Sequence, residues 1–358
     1  MRISVWLWTL ATCALLMNGC EDSGSEKVDS GYLRGIYIVN EGAFTSNNGS
    51  ISFFDQGAGT ITNGIFEAAN GRPLGDVVQS MEVVNDTVGY IVVNGSAKVE
   101  IVGLTTFKTI AAPVPVPYPR NFILAGENKG YLSSGSMQGY LYVFDLNTHL
   151  ITDSVAVGYG PDKMVAMGNH VYVANSGGWG LDSTISVVDI ITDEVVNTLK
   201  TGQVPADIAL DGNQDLWVYC RGYATYNWEP PYDLISESEA LLQKIDPLTG
   251  NILWQGIVGK AGDYTTSLPK MSISADKASL FYLRPDGVYK IDTDVPVIPA
   301  LPIIEGNFYG IGINPSDGYI YLFVSGFTGN GTMKVHDEEG NKVAEGTVGI
   351  APNGAVFH

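Results

Sequence analysis

The chain has 358 residues, of which 45% are hydrophobic and only 16% charged, with 43 glycines. That is enough apolar material for a large core, which excludes a disordered chain. A formal net charge of −19 excludes a nucleic-acid footprint and leaves little attraction to anionic lipid.

Residues 1–19 read as an export signal. Arg2 supplies positive charge, residues 5–17 are nearly all apolar, and Asn18-Gly19-Cys20 follows. The run is too short to span a bilayer. Small residues leading into cysteine resemble the bacterial lipobox, which implies lipidation at Cys20 and attachment to a membrane by acyl chains alone. Met17 stands where leucine is usual, and an ordinary signal peptide that happens to contain cysteine is the competing reading. The acidic run Glu21-Asp22-Ser23-Gly24-Ser25-Glu26 resembles the surface-export signal of Bacteroidetes lipoproteins, so residues 20–34 read as a lipidated N-terminus and flexible acidic tether. With Cys13 removed and Cys20 acylated, Cys220 is the remaining thiol and no intrachain disulfide can form.

From residue 35 the chain is a series of short β-branched or aromatic runs separated by glycine, asparagine and aspartate, which predicts antiparallel strands joined by tight turns. One four-strand unit recurs. Its third strand ends at Asp55, Gly103, Asp145, Asp189, Asp246, Asp292 and Asp337, giving spacings of 48, 42, 44, 57, 46 and 45 residues. A period in the forties with four strands per copy predicts an all-β, seven-bladed β-propeller over residues 35–358. The first copy lacks its opening strand, and Ala351-Pro-Asn-Gly-Ala-Val-Phe-His358 supplies it at the other end of the chain. The C-terminal strand is therefore expected to join the N-terminal blade and close the ring.

In this arrangement the second-to-third loops share a face with the connections between blades, and those segments are the long ones. Candidate ligand-binding residues on that face are Phe44, Arg72, Asp76, Gln79, Tyr118, Arg120, Trp179, Arg221, Tyr223, Tyr226, Trp228, Tyr264, Tyr309 and Phe327. Tyr159, Asp162, Tyr232 and Lys260 belong to the same set. Aromatics on loops offer rigid contact area at low entropic cost, and arginines, carboxylates and an amide near the axis would add polar recognition. The insertion at 221–240 carries four of the aromatics, reads as too long for a hairpin connection, and is stiffened by Pro230-Pro231.

No catalytic constellation is legible. The four histidines fall in different blades, no metal-ligand spacing occurs, and there is neither a nucleophile elbow nor a phosphate loop. Thr249-Gly-Asn-Ile-Leu-Trp254 resembles a quinoprotein repeat but occurs once, so a turn into an outer strand explains it. Asp86-Thr87-Val88, Asp153-Ser154-Val155 and Asp182-Ser183-Thr184 resemble a Bacteroidetes O-glycosylation signal, a three-residue pattern that arises readily by chance.

Tyr37-Ile-Val-Asn-Glu-Gly42, Gly49-Ser-Ile-Ser-Phe-Phe-Asp55, the 70–81 segment Asn-Gly-Arg-Pro-Leu-Gly-Asp-Val-Val-Gln-Ser-Met and Tyr172-Val-Ala-Asn175 resemble the YncE-like, YVTN-repeat propellers of Bacteroidetes. Within that group the chain looks most like the BtuG-type surface lipoproteins. The resemblance implies capture of cobalamin or a related corrinoid at the outer membrane and its delivery to a TonB-dependent transporter, with no cofactor and no enzymatic activity. The alternatives are a non-catalytic scaffold that binds a protein or glycan and, with least support, a lactonase or quinoprotein enzyme.

Overall fold

The computed structural model describes residues 31–264 and 269–358. The signal-peptide, lipidation and acidic-run readings at residues 1–30 lie outside the described residues.

Seven four-stranded antiparallel sheets are arranged as a propeller, as the repeat spacing predicts. From rim to axis the first blade orders Thr60–Thr62, Ser50–Asp55, Ile36–Asn40 and Pro352–Phe357. Ring closure is explicit: Ile36 pairs with Phe357 and Tyr37 with Val356, while Gly35 and His358 exchange backbone hydrogen bonds of 2.9 and 3.0 Å. The other inner strands are Val78–Val84, Pro119–Leu124, Pro161–Met167, Pro205–Leu210, Met271–Ile273 and Gly310–Ile313. In the second blade the outer strand is split, with Lys108–Thr109 and Val114–Pro115 pairing with opposite ends of Lys98–Gly103.

Middle strands such as Leu216–Cys220 are buried along their whole length, because both faces of each sheet meet a neighbouring blade. The apolar side chains accordingly collect into seven clusters, one per junction between blades. Burying each Val, Ile, Leu or Phe in them contributes about 1.5–3 kcal/mol. One aromatic recurs at the same place in the second strand of every blade: Tyr37, Tyr90, Tyr131, Tyr172, Trp217, Phe281 and Tyr321, none more than 1% exposed. Four of the tyrosine hydroxyls bond to the third-to-fourth turn of the following blade. Tyr90 reaches His149 at 2.6 Å, Tyr172 the carbonyl of Pro247 at 3.5 Å, Tyr321 the side chain of Gln56 at 3.0 Å, and Tyr131 the carboxylate of Asp193.

Three local features depart from the sequence expectation. Residues 65–70 form one short helix, Ile65–Asn70, bracketed by Gly64 and Gly71 in the left-handed region, where glycine is free of the steric cost of a Cβ. Tyr32 and Leu33, assigned to the tether, pack on the first blade; Tyr32 lies edge-on to Phe53 at 5.2 Å and Phe107 at 5.7 Å. The insertion is itself a hairpin, Ala224–Tyr226 paired with Leu234–Glu237, because its period-two pattern finds its own partner strand. Its last two expected residues, Glu239 and Ala240, begin the third strand of the fifth blade.

Candidate ligand-binding face

Antiparallel order puts the second-to-third loops and the blade connections on one face, at the starting ends of the inner strands. Five connections arrive by the same backbone step. The residue before the inner strand has positive φ: Val77 at 51°, Tyr118 at 47°, Gly160 at 56°, Val204 at 56° and Ala351 at 51°. Its carbonyl accepts an N–H at the end of the second strand, from Asn94, Gly135, Ser176, Arg221 and Glu41 respectively, at 2.8–2.9 Å. For β-branched Val77 and Val204 this conformation costs about 1–3 kcal/mol each, and strain of that kind gathers where a site must be aimed.

A β-bulge follows at once in the same five blades. Pairing skips Gln79, the pair Arg120 and Asn121, the pair Asp162 and Lys163, Ala206, and Asn353. A bulge re-aims the extra residue out of the ladder. Here the skipped residues line an axial channel with two connected sections. The mouth, about 260 Å³, is walled by Gln79, Arg120, Asp162, Lys163, Trp179, Asp207, Arg221 and Lys270 among others. The deeper section, about 440 Å³, adds Met81, Glu82, Met164, Met271, Ile311 and Asn353.

Polar groups at the mouth are partly tied to one another. The Arg120 guanidinium donates to Asp162 at 2.5 Å and to Gln79 at 2.8 Å, and Asn121 donates to the other Asp162 oxygen at 2.6 Å. Burial alone would lower Arg120, but the facing Asp162 outweighs it and holds the guanidinium above its ordinary value. Tyr309 and Asn353 both donate to Glu41, at 2.7 and 2.8 Å. Lys270 donates to the carbonyl of Asn353 at 2.6 Å and sits over the Tyr309 ring at 5.0 Å. Burial pushes the Lys270 ammonium down to about 8 and the Glu82 carboxyl up to about 7, the latter opposed by the charge of Lys163. It likewise raises the Asp207 carboxyl.

The sequence candidates divide sharply. Gln79, Arg120, Asp162, Trp179 and Arg221 meet at the mouth. Tyr118 joins them edge-on to Trp179 at 5.8 Å, with Trp179 83% exposed. Tyr223 and Tyr226 lie near the Arg221 guanidinium, whose basicity burial lowers and the two tyrosines partly restore. Trp228 and Tyr232 occupy the tip of the inserted hairpin, where Trp228 is 96% exposed and lines neither channel section. Tyr309 and Phe327 form a second aromatic pair at 5.0 Å. Phe44 is exposed on its own loop, anchored where the Thr45 N–H bonds to Asp76 at 2.9 Å.

Four assignments need correction. Tyr264 is buried in the junction of the fifth and sixth blades and shares a 2.6 Å hydrogen bond with Tyr219, because the ring fills a gap between sheets. Arg72 is not near the axis; it makes two 2.8 Å hydrogen bonds to the buried Glu100 and covers the Phe66 ring. Asp76 anchors the loop that carries Phe44 by accepting the Thr45 N–H, and Lys260 pairs with Glu237 at 3.3 Å beside the hairpin. Conversely, Lys163, Asp207, Lys270 and Asn353 were missed. The signal was present: each lies one or two places after a proline at or just before the start of an inner strand, at Pro161, Pro205, Pro269 and Pro352.

The Thr249–Trp254 segment is a turn into the outer strand Ile252–Lys260, with Trp254 packed on Trp217 at 5.6 Å. Cys220 is buried and unbridged, and burial lifts its thiol to about 12. Among the described residues no group of histidine, cysteine or carboxylate side chains is arranged to hold a metal.

A closed ring of seven blades with a strained, aromatic-edged channel mouth defines the class: a β-propeller that elaborates one face. Residues 34–349 match the family described as "Domain of unknown function (DUF5074)", and the chain belongs to that family. No curated protein is similar enough in sequence to count as a relative. Among solved structures, a quinoprotein alcohol dehydrogenase-like protein from Bacteroides thetaiotaomicron aligns with a TM-score of 0.63 at 14% identity, covering 91% of this chain and 78% of that one. A protein from Lactobacillus plantarum aligns at 0.60 and 12% identity, over 91% of this chain and 99% of the other. Kuenenia stuttgartiensis hydrazine synthase aligns at 0.58 and 16% identity, over 79% and 92%. At these identities the likeness is one of fold.

Proposed function

We propose that the chain is a lipid-anchored binding protein of the outer membrane. It holds a bulky organic molecule, cobalamin or a related corrinoid, on the elaborated face and passes it to a TonB-dependent transporter. The observation that carries the reading is the exposed Tyr118–Trp179 pair at the rim of a channel whose walls bear arginine, carboxylate and amide groups. A mouth of about 260 Å³ is below the usual range for drug-sized ligands, roughly 300–1,000 Å³, so a corrin ring lies across the opening against the aromatics. Binding there is non-catalytic: recognition needs apolar walls and scattered hydrogen-bonding groups, and both are in place. A Cys20→Ala variant, released from its anchor, should co-elute with cyanocobalamin when followed by absorbance; elution of the two apart overturns the reading. The wild type should be accessible to protease on intact cells, and protection there would place it facing the periplasm.

The hairpin favours a second reading. Trp228, Tyr232, Leu234 and Ile235 are 96, 60, 45 and 63% exposed, and such a patch of apolar side chains suits a protein partner. Under that reading the propeller is a scaffold, and retention of a purified surface partner without any corrinoid binding would identify it.

A further inference from the structure

We infer that the channel mouth is an oxyanion site and takes a phosphate-ester group of the ligand. Four cationic side chains, Arg120, Lys163, Arg221 and Lys270, line this one section against two carboxylates, Asp162 and Asp207, in a chain whose net charge is −19. Both carboxylates are already engaged. Asp162 is held by Arg120 and Asn121, and Asp207 accepts the backbone N–H groups of Ile208 and Met271 at 3.0 and 2.9 Å. Glu41, at the same end of the channel, is likewise occupied by Tyr309 and Asn353.

Apart from Arg120, which pairs with Asp162, the cations are not. Among the described residues the side chains of Lys163 and Arg221 have neither an ion pair nor a hydrogen bond, and Lys270 has only a neutral carbonyl and a ring face. Gathering like charges in a partly desolvated cavity is unfavourable unless an anion completes it. Lys163 feels the charges of Glu82 and Asp207, and Lys270 those of Glu41, Asp207 and Asp162, but neither makes a direct ion pair, so with Arg221 three donors stay free to contact an anion. They match a tetrahedral oxyanion, with the planar Arg221 fork and two point-charge ammonium groups contacting different oxygens. The five bulges explain how this arises, because two of them place Arg120 and Lys163 on the channel wall rather than in a ladder.

The inference deepens the capture reading, but its test contains no corrinoid. Inorganic phosphate is titrated into the Cys20→Ala protein at ionic strength fixed with chloride, followed by calorimetry and ³¹P line broadening. Saturable binding is expected, weakened about tenfold or more in Lys163→Met and in Arg221→Met, retained in Lys163→Arg and unchanged in Lys260→Met. Melting curves confirm that each variant is folded. Absence of saturable phosphate binding by the parent protein, or unaltered binding by both folded methionine variants, overturns the oxyanion site. If phosphate binds as described while cyanocobalamin does not, the oxyanion site stands and the corrinoid falls.

Discussion

On the turn face, Asp145, Asp189, Asp246 and Asp292 each end a third strand by accepting two backbone N–H groups from the residues two and three places on. On the opposite face the loops after the second strands range from the two residues 285–286 to the eighteen residues 221–238. The first face repeats because one solution, an aspartate that satisfies a turn's own donors, serves most of the blades, and neighbouring blades are stitched there by the buried tyrosines. The second face varies because its backbone is bent to present side chains. Stability therefore resides mainly in the regular face and the blade junctions, and the proposed recognition in the irregular one.

The largest disruption removes the feature both faces depend on. Deleting residues 352–358 takes away the inner strand of the first blade and exposes the edge of Ile36–Asn40. The truncated chain should lose its cooperative thermal transition or melt far below the full chain. A melting curve superimposable on the parent would show that the ring does not need this strand.

Single substitutions then separate the faces. Trp179→Ala at the mouth should lower cyanocobalamin affinity by about 30-fold, the usual effect of truncating a central aromatic anchor, with little change in Tm. Trp228→Ala, at the hairpin tip, should change that affinity much less. Calorimetry on both variants ranks them, and the reverse order would move the corrinoid onto the hairpin. In contrast, Tyr131→Phe removes a partly buried hydrogen bond to the Asp193 carboxylate and should cost about 1.5 kcal/mol of stability while leaving affinity unchanged. Denaturant unfolding measures the first and ligand titration the second.

How far the sequence revealed each face follows the same division. Six terminal aspartates, Gly103 in the same register and the spacing between them identified the seven blades, since a turn that must satisfy its own N–H groups leaves a residue-level signature. The likeness of residues 351–358 to the opening strands identified the closing one. The mouth was legible only in part. Arg120, Gln79, Asp162 and Trp179 were recognised, but Lys163 and Lys270 were not: the proline before each marks the start of an inner strand, while the turn of the Lys163 side chain into the channel is set by a bulge, which has no composition of its own. Tyr264 was misplaced for a related reason. A tyrosine at the end of a blade can cover a ligand or fill a junction, and here Tyr219 holds it in the junction.

Acidity and alkalinity should divide the two faces by protonation alone. Backbone N–H groups, first Thr148 for Asp145 and Thr192 for Asp189, hold these turn carboxyls below the ordinary 3.8, and the Thr249 hydroxyl does so for Asp246. Groups with a depressed folded pKa stabilise above the unfolded value, and that contribution is lost as pH falls below 3.8 through the folded values. In the channel the signs differ. Burial raises Glu82 from 4.5 to about 7, so the folded chain binds more protons between those values and stability rises as pH falls from 7 to 4.5. Burial lowers Lys270 from 10.5 to about 8, so the unfolded chain binds more protons in that window and this group adds stability as pH rises through it. Urea midpoints measured from pH 2 to 10.5 should therefore respond separately to three variants. Asp246→Asn flattens only the limb below 3.8, Glu82→Gln only the 4.5–7 limb, and Lys270→Met only the 8–10.5 limb. If Glu82→Gln leaves its limb intact, the carboxyl is solvated and the deeper section of the channel is open to water at Glu82.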